Sequence, residues 1–418
     1  FFFSSRRRHT RFRNVTEVQT CALPILNFQI TAEQQMLVDS VQRFLERDYG
    51  FDARRKQLAD PGSPRWRWQT LAELGLLGLM VPEEDGGIGG NAFDAMLVAQ
   101  ALAPGLLLEP WHEVAIESVQ LLQYLKSSKV STDPSFIAKQ RRISEALGAI
   151  ASGARMIVPA HDEAHMQGQM MSVQTRAHQA GDGYVINGTK VLVCAGGLAD
   201  QWLLTAKLGH ADDATIAVFL FGSEVPGVQL KSYPGMDSRW YADLDLRDCW
   251  VPASALLSAD GYEAIRQSQA IRLMAWCADA QGCMRALVEQ TKQYLQTRKQ
   301  FGQAIGRFQA LQHRAVDMFV HSEQSYSMLI RAADACERLE SDHRTRADLS
   351  SCEHALAASR LLIGIAARTV SQEAVQLHGG MGVTDELSVG HFFRRLTAFE
   401  LRLGDTDYHN ILMAKLLQ

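Results

Sequence analysis

The spacing of apolar residues changes twice along the chain. From Phe28 to Ile150 the apolar positions recur at helical spacing. Between Met156 and Pro252 they come instead in short or alternating runs separated by Gly, Asp and Asn, which is typical of strands and turns. From Gly261 to the end the helical spacing returns. The pattern therefore predicts a helical part, a sheet of about a hundred residues and a second helical part.

Several signals mark element ends in the first helical part. Thr31, followed three residues later by Gln34, is a capping-box arrangement that predicts the start of a helix. A glycine-rich turn is predicted at Val81–Gly90, where the sequence reads V-P-E-E-D-G-G-I-G-G. Further helices are predicted over Leu71–Leu79, over Asn91–Leu108 with a break at Pro104-Gly105, and over Glu113–Ile150.

The middle part predicts strands and one prominent turn. Asn187-Gly188 is a strong signal for a hairpin between two neighbouring strands. Pro252 is expected to close the strand region. The predicted strands are Tyr184–Ile186, Val191–Val193, Trp202–Thr205, Thr215–Phe221 and Tyr241–Leu246.

The last part contains the most informative run of the chain. Tyr294–Gln309 reads Y-L-Q-T-R-K-Q-F-G-Q-A-I-G-R-F-Q. It places Arg298 in the last turn of a long helix, where the helix dipole favours a cation, and it breaks at Phe301-Gly302. The predicted helices are Tyr262–Arg298, Phe308–Glu340, Asp348–Leu377, Val389–Leu401 and Thr406–Leu416.

Composition excludes several classes of protein. The chain has 418 residues, 47% of them hydrophobic, which is ample for a large core and more than one domain. No run of about 18 apolar residues exists, so no membrane span is expected. The net charge of −4 gives no support for nucleic-acid binding. Seven scattered cysteines without a C-x-x-C pair indicate a reducing compartment and no disulfide framework or structural zinc.

Two local features invite a functional interpretation that we do not adopt. H-D-E-A-H at residues 161–165 has paired histidines but lacks the glutamate that follows the first histidine of a metalloprotease helix. We interpret it as a surface loop and predict no metal site. Residues 1–25 contain five arginines and one acid, a net +4 that leaves −8 for the rest of the chain. This leader could be a transit peptide. We interpret it instead as translated adapter sequence, that is, as a non-native or disordered leader, and expect a cytoplasmic location.

Three segments in fixed order carry a family resemblance. The first is L-A-E-L-G-L-L-G-L-M-V-P-E-E-D-G-G-I-G-G, which ends at Gly90. After the predicted strands come Y-x-x-x-R-x-Q-F-G-x-x-I-x-x-F-Q and then A-V-Q-L-H-G-G-M-G-V-T-D-E-L at Ala374–Leu387. Over residues 28–418 the chain resembles the acyl-CoA dehydrogenase family. The ending F-F-R-R-L-T-A-F-E-L-R-L-G-D-T-D-Y-H is most like small subunits of pimeloyl-CoA-type dehydrogenases, and it is also similar to steroid side-chain dehydrogenases that work as mixed-subunit pairs.

The resemblance implies an α+β fold and a reaction. The expected domains are an N-terminal helical domain over 26–152, a middle β domain over 153–257 and a C-terminal four-helix bundle over 258–418. The implied reaction is α,β-dehydrogenation of an acyl-CoA thioester, in which a carboxylate removes the α proton and FAD takes a hydride. The implied partners are a second acyl-CoA dehydrogenase subunit and, as electron acceptor, an electron-transfer flavoprotein.

The resemblance also assigns residues to the tail of FAD. Arg298 matches the arginine that contacts the diphosphate, and Phe301 matches the residue packed on the cofactor. The pair of residues that lines the adenosine side of the cofactor is matched by Phe308 and Gln309. The segment that approaches the adenine and diphosphate from the same subunit is matched by Gln376, Gly379 and Gly380. Glycine at those two positions permits close approach of the backbone.

The flavin ring and the base are matched poorly. Residues 160–165 replace the family's T-E-P-x-A-G-S-D entry to the β domain. Leu192 stands where the family has a tryptophan on the flavin, and Cys194 where it has a threonine, whose hydroxyl is a better donor than a thiol. At the family's two positions for the catalytic glutamate this chain has Leu403 and Arg272, neither of which can accept a proton.

Three hypotheses follow, and the catalytic base stays unassigned. The first is a subunit of a mixed oligomer that completes the FAD site of a partner. The second is a self-sufficient enzyme that uses Glu400 or Asp405 as its base, although each is expected to be an ordinary surface or helix-terminal acid. The third is a non-catalytic scaffold or acyl-CoA-binding homologue without FAD.

Overall fold

A computed structural model describes residues 30–59, 65–126, 132–166, 168–169, 171–209, 214–340 and 346–416 of the chain. Helices, then a sheet, then helices follow one another in the order that the apolar spacing predicts. None of the helices within these ranges is long and apolar enough to cross a bilayer.

The N-terminal part is a set of short helices around an apolar core. Thr31 caps the first helix and forms the predicted reciprocal capping box with Gln34. A π-helical stretch at His112–Ser118 runs directly into the fifth α-helix. The α-helices are α1 (Ala32–Asp48), α2 (Phe51–Ala59), α3 (Trp68–Glu73), α4 (Ala92–Leu102), α5 (Val119–Leu125) and α6 (Pro134–Ala151).

Two predicted helices of this part are shorter than the pattern indicates. The helix predicted over Leu71–Leu79 ends at Glu73, because Gly75 takes a left-handed conformation with φ +74°. Leu76, Leu77 and Leu79 are buried in turns, so their apolar spacing reflects burial from several sides. The stretch Glu113–Ile150 is likewise not one helix, since α5 ends at Leu125 and Asp133 caps a new one.

The middle part is an eight-stranded sheet among the described residues. Its order is β6-β7-β3-β2-β4-β5-β8, with β1 parallel to β4. The strands are β1 (Ile157–Ala160), β2 (Arg176–Ala180), β3 (Gly183–Cys194), β4 (Gln201–Leu208), β5 (Thr215–Gly222), β6 (Val228–Pro234), β7 (Trp240–Pro252) and β8 (Leu256–Ser258). The sheet therefore continues past Pro252, because β8 pairs with β5.

The hairpin predicted at Asn187-Gly188 is wrong. Both residues lie inside the single strand β3, at an irregularity in its pairing with β7. Asn187 exchanges hydrogen bonds with Asp248 of β7, at 3.2 Å through its amide nitrogen and 2.9 Å through its amide oxygen. A cross-strand partner thus holds the pair in the sheet, and the β2–β3 turn falls at Gly181-Asp182 instead.

The C-terminal part is a bundle of long helices, as predicted. Its helices are α7 (Tyr262–Thr297), α8 (Gln309–Glu337), α9 (Arg346–His378), α10 (Ser388–Glu400) and α11 (Thr406–Leu416). Helix α7 is buried along most of its length, because α4 and the stretch 112–118 cover one side while α8 and α9 cover the other. It is therefore the helix on which the three parts of the molecule meet.

Gly282 allows the close approach of α7 to α4. A Cβ at this position would lie 2.6 Å from the carbonyl oxygen of Gln100 and 2.7 Å from the Cβ of Ala103, which are fixed parts of α4 and its end. We expect Gly282→Ala to lower the free energy of unfolding by about 2 kcal/mol. Gly50→Ala is the control, since its Cβ meets nothing within 4 Å. Urea unfolding of both variants measures this, and equal stability would contradict it.

Candidate functional site

The run Tyr294–Gln309 forms an exposed hairpin at the end of α7. The helix ends at Thr297, one residue earlier than predicted, so Arg298 is the extended residue that follows it. Lys299–Gln300 (β9) pairs with Gln303–Ala304 (β10), and the predicted break at Phe301-Gly302 is a turn with φ +53° and +77°. Tight reversal of the chain requires this left-handed backbone, which glycine adopts readily and phenylalanine does not.

The side chains of this hairpin point outward. The Phe301 ring is 89% exposed and lies edge-on to the half-buried Phe308 ring, with 6.0 Å between centroids. Arg298 and Gln309 are exposed, and the Arg298 guanidinium has no hydrogen-bond or ion-pair partner within the described ranges. The hairpin thus presents an apolar ring and an unpaired cation side by side on the surface.

The second segment assigned to the FAD tail lies beside this hairpin. The Tyr294 ring, one turn before Arg298, stacks on His378 at 4.3 Å and 28°, and its hydroxyl donates to the His378 carbonyl at 3.4 Å. Gly379 and Gly380 follow immediately, and nothing lies within 4 Å of a Cβ built on either of them. Gln376 is exposed one turn earlier. All seven predicted tail residues therefore lie in two neighbouring segments with open space in front of the glycines.

A second region contains three positions at which this chain lacks the residues of the acyl-CoA dehydrogenase family that face the flavin or act as the base. Leu192, Cys194 and Arg272 line one narrow cleft where the sheet meets the helical parts. Its volume is about 10 Å³. A single buried water needs about 10–15 Å³, and pockets for organic ligands measure about 300–1,000 Å³. The cleft is closed because charged side chains fill it.

Arg272 occupies the centre of the cleft. Its guanidinium lies 3.0 Å from Glu117 of the π-helical stretch and 3.0 Å from Asp162 after β1. Gln269, one turn earlier on α7, donates to Glu117 at 2.8 Å and accepts from Arg272 at 3.0 Å. The position that could have carried a base therefore carries a cation with two carboxylate partners.

A second group of ion pairs continues inward from the cleft. Arg239 lies 2.9 Å from Asp237 and 3.2 Å from Glu113, and Arg395 lies 2.9 Å from Asp279 and 3.4 Å from Asp237. Arg402, which lines the cleft, is 3.7 Å from Glu113. We call the whole set the ionic cluster: Arg239, Arg272, Arg395, Arg402, Glu113, Glu117, Asp162, Asp237 and Asp279.

One aromatic ring organises the cations of the ionic cluster. The guanidinium carbons of Arg239, Arg395 and Arg402 lie 4.5, 4.9 and 5.0 Å from the ring centroid of buried Trp276. The ring of His112 stacks on Trp276 at 4.7 Å. Contacts with a ring face stabilise guanidinium groups that have lost their hydration. Trp276 on α7 is therefore the apolar centre around which the charges are arranged.

Protonation brings the ionic cluster close to neutrality. Burial opposes ionisation of Glu113, but the charges of Arg239 and Arg402 lower its pKa to about 2. Arg272 likewise outweighs burial at Asp162 and lowers its pKa to about 2. At Glu117 burial dominates and raises the pKa to about 8. With Glu117 protonated, four carboxylates face four guanidinium groups.

The two carboxylates considered as substitute bases lie elsewhere and are occupied. Glu400 is not a surface acid: it is buried, lies 3.1 Å from both Arg360 and Arg368, and accepts from the backbone and hydroxyl of Thr406. Asp405 is exposed and caps α11 by accepting from the Tyr408 backbone at 2.8 Å. Leu403 lies between them, and neither acid lines the cleft.

The interpretation of residues 161–165 as a surface loop is wrong for its first half. His161 is buried with its Nδ1 2.9 Å from the Thr205 hydroxyl, and Glu163 is buried 2.6 Å from Lys190. These residues connect β1 to the rest of the sheet. Within the described ranges, no group of three His, Cys, Asp or Glu side chains could hold a metal ion.

Two family profiles match this chain. The profile described as Acyl-CoA dehydrogenase, C-terminal domain, matches residues 259–418, and the profile described as Acyl-CoA dehydrogenase, N-terminal domain, matches residues 31–110. Together they cover more than half of the chain.

The chain belongs to the acyl-CoA dehydrogenase family. The probable acyl-CoA dehydrogenase YngJ of Bacillus subtilis is 27% identical over 401 residues, which is 94% of this chain and all of that protein. A chain of the ChsE4-ChsE5 complex from Mycobacterium tuberculosis superposes with TM-score 0.79 at 22% identity, over 94% of this chain and 99% of that one. A glutaryl-CoA dehydrogenase from Mycobacterium smegmatis, in complex with FADH2, has TM-score 0.78 at 21% identity, over 93% and 95%. The predicted acyl-CoA dehydrogenase fold is confirmed.

Acyl-CoA dehydrogenases are FAD-dependent oxidoreductases, so the two regions of this member can be compared with what FAD needs. The exposed segments fit its tail, because they offer an unpaired guanidinium and open glycines. The cleft itself is too small for its ring, because the ionic cluster leaves about 10 Å³, and Leu192 at its edge is 46% exposed.

Sequence reasoning missed most of the ionic cluster. A signal existed for Glu113 and Glu117, which stand four residues apart within the apolar run P-W-H-E-V-A-I-E-S-V-Q-L-L. Acids at helical spacing in a buried run need cationic partners. No local pattern indicates that the partners are Arg239, Arg272 and Arg402, because they come from three distant segments.

Glu117 makes the stability of this acyl-CoA dehydrogenase depend on pH. Its pKa is about 8 in the folded chain against an ordinary value of 4.5, so its contribution to stability is complete below about pH 4.5 and is lost as pH rises through 8. Glu117→Gln mimics the protonated side chain and should remove this loss. The unfolding free energy of the variant minus that of the wild type should increase by on the order of a few kcal/mol between about pH 5 and pH 8. Urea unfolding at several pH values measures the difference, and parallel curves would rule the explanation out.

Proposed function

We propose that this chain is one subunit of a mixed acyl-CoA dehydrogenase. In this arrangement it binds the diphosphate and adenosine of an FAD whose ring and catalytic base belong to a partner subunit. The observation that carries the proposal is the contrast between two regions. The tail segments, 298–309 and 376–380, are open and Arg298 is unpaired. The ring cleft, which is the narrow cleft lined by Leu192, Cys194 and Arg272, is filled by paired charges.

The tail segments have the chemistry that a diphosphate requires. Arg298 can form charge-assisted hydrogen bonds, which are shorter and stronger than those between neutral groups. Gly379 and Gly380 expose backbone on the same side, because Tyr294 holds the end of α9 beside the start of the hairpin. Phe301 offers an apolar ring that a bound cofactor would cover.

The ring cleft lacks both space and a base. Opening it would separate Arg272 from Glu117 and Asp162, and an unpaired buried charge costs about 3–5 kcal/mol. Of the acids that line it, Glu113 and Asp162 pair with arginines and Glu117 is protonated at neutral pH, while the guanidinium groups only donate. No carboxylate of the cleft is free to take an α proton from an acyl-CoA.

A surface on the bundle fits a partner subunit. Val316, Phe319 and Val320 of α8 have three- and four-residue spacing and are exposed together with Ile365 of α9. Apolar side chains clustered on one helix face favour burial against another protein. The ChsE4-ChsE5 structure, which shares this fold, is a complex of two named chains.

The division of labour defines the mechanism. Bound FAD supplies the chemistry by accepting a hydride from the β carbon of the acyl group. This chain's part is to hold the cofactor tail with Arg298, to orient it against the backbone at Gly379-Gly380, and to shield it with Phe301. The partner supplies the carboxylate for the α proton, and by resemblance an electron-transfer flavoprotein takes the electrons.

Two other functions are less well supported. A self-sufficient enzyme would need Glu400 or Asp405 as its base, but the first is paired with two arginines and the second caps a helix. A non-catalytic acyl-CoA-binding homologue accounts for the closed cleft, and a groove of about 570 Å³ beside Tyr262, Arg266 and Gln269 is large enough for part of such a ligand. It gives no reason for the unpaired Arg298 and the exposed Phe301.

Coexpression with the acyl-CoA dehydrogenase of a neighbouring reading frame tests the proposal. We expect this chain alone to purify without flavin, and the copurified pair to contain one FAD for two chains. Within the pair, Arg298→Gln should weaken FAD retention about tenfold or more, because a charge-assisted contact to the diphosphate is lost. Arg307→Gln, an exposed cation of the following turn, is the matched control. A flavin-loaded, active enzyme obtained from this chain alone would overturn the proposal.

The same pair tests the substitute bases. Asp405→Asn should leave turnover unchanged, because the amide oxygen can still cap α11. Glu400→Gln should instead lower the free energy of unfolding by about 3 kcal/mol, because Arg360 and Arg368 lose their carboxylate. Steady-state kinetics and urea unfolding distinguish the two effects. Loss of turnover in Asp405→Asn at full stability would favour the self-sufficient enzyme.

A further inference from the structure

Two buried thiols are in contact where α8 ends and α9 begins. Cys336 lies in the last turn of α8, Cys352 lies in the second turn of α9, and their sulfur atoms are 3.6 Å apart. Both side chains are fully buried. A single buried cysteine behaves as a small apolar side chain, but two thiols in contact can also be oxidised to a disulfide.

The packing of the two helices fixes this contact. Ser359 of α9 donates its hydroxyl proton to the Met328 carbonyl of α8 at 2.8 Å. Met328 and Ser359 each lie about two helical turns from the cysteine of the same helix, so the two contacts belong to one antiparallel helix pair. The hydrogen bond therefore holds the helices in the register at which the two thiols face each other.

The cysteine pair lies just below the surface. Glu337 and Arg338, which follow Cys336, are exposed, and so is Ser351, which precedes Cys352. The ends of helices open locally at a smaller cost in free energy than the core of a bundle does. A small oxidant can therefore reach a thiol when only the last turn of α8 or the first turns of α9 open.

We infer that Cys336 and Cys352 form a reversible disulfide when the chain meets a peroxide. One thiol attacks an oxygen of hydrogen peroxide, the O–O bond breaks, a sulfenic acid forms, and the other oxygen leaves with the thiol proton as water. The second thiol then attacks that sulfur, the S–S bond forms, and the sulfenic oxygen leaves as water. Two thiols are oxidised while one peroxide is reduced to two waters. To bond, the sulfur atoms move closer by about 1.6 Å, to a distance of about 2.0 Å.

The disulfide ties α8 to α9 at one end only. The tail segments lie at the other ends of the same helices, since α8 begins at Gln309 and α9 ends at His378. Those ends are on the order of 40 Å from the cysteines along the helix axes. The bond therefore stabilises the bundle without displacing the segments expected to bind FAD, and the inference does not depend on the proposed function.

Peptide mapping after oxidation tests the inference on the unaltered chain. The folded chain is treated with millimolar hydrogen peroxide, unfolded in urea, alkylated with iodoacetamide and digested. We expect Cys336 and Cys352 to lose alkylation together, to appear in one cross-linked peptide pair, and to regain alkylation after dithiothreitol. The inference is wrong if both cysteines stay alkylated, if they lose alkylation without the cross-link, or if the cross-link joins either of them to another cysteine.

Single variants separate the pair from the other thiols. Cys352→Ala should abolish the cross-link, because Cys336 loses its partner. Cys283→Ala is the matched control and should keep the cross-link, since this buried sulfur contacts the Ala103 carbonyl at 3.8 Å.

Oxidation should also stabilise the chain. In the wild type, but not in Cys352→Ala, it should lower the equilibrium constant for unfolding on the order of a hundredfold, because it closes a loop between residues 16 apart. Urea unfolding with and without dithiothreitol measures this. Equal stability of the oxidised and reduced wild type would overturn the inference that the disulfide ties the two helices together.

Discussion

Burial of the ionic cluster around Trp276 is the constraint on which the rest of this molecule depends. Three of its guanidinium groups and four of its carboxyl groups are buried at the point where all three parts meet, while Arg402 and Asp162 are partly exposed. Removing one charge from water costs several kcal/mol unless a partner charge is close. The free energy of unfolding of a whole domain is only about 5–15 kcal/mol. The members must therefore stay together. These ion pairs hold four elements in one arrangement: the π-helical stretch, α7, α10 and the β6–β7 loop. None of the four could bury its charged side chains without the others.

The same constraint separates the two regions expected to bind FAD. A cleft filled by mutually dependent ion pairs cannot open for a ring without stranding a charge, so its closure follows from its chemistry. The hairpin after α7 can bind a ligand without breaking an ion pair, because Arg298 is solvated and unpaired and the nearby glycines face open space. The fold thus leaves open the segments expected to bind the FAD tail and closes the cleft beside the positions expected to face the ring. This asymmetry favours the proposed subunit, which shares an FAD site with a partner, over a self-sufficient enzyme with a complete FAD site of its own.

Local signals predicted local structure well. The capping box at Thr31, the break at Phe301-Gly302 and the long helices of the bundle depend on neighbours in sequence, and all appear as predicted. The hairpin at Asn187-Gly188 failed because Asp248, about sixty residues away, binds Asn187 within a continuous strand. The same limit applies to the candidate site. Its exposed tail segments lie in two recognisable runs, whereas the ionic cluster is assembled from residues whose partners no spacing rule identifies.

The ionic cluster and a cavity of about 570 Å³ lie on two sides of the same backbone segments. Along the loop that leads into β7, Asp237 and Arg239 turn inward while Ser238 and Trp240 face the cavity, and Ser238 accepts a left-handed backbone with φ +69° to maintain this alternation. On α10, Arg395 turns inward beside Arg394, which lines the cavity. Because the inward residues cannot move without breaking buried ion pairs, the outward residues have fixed positions. The charges that close the cleft beside Leu192 and Cys194 therefore also hold this wall of the cavity in place.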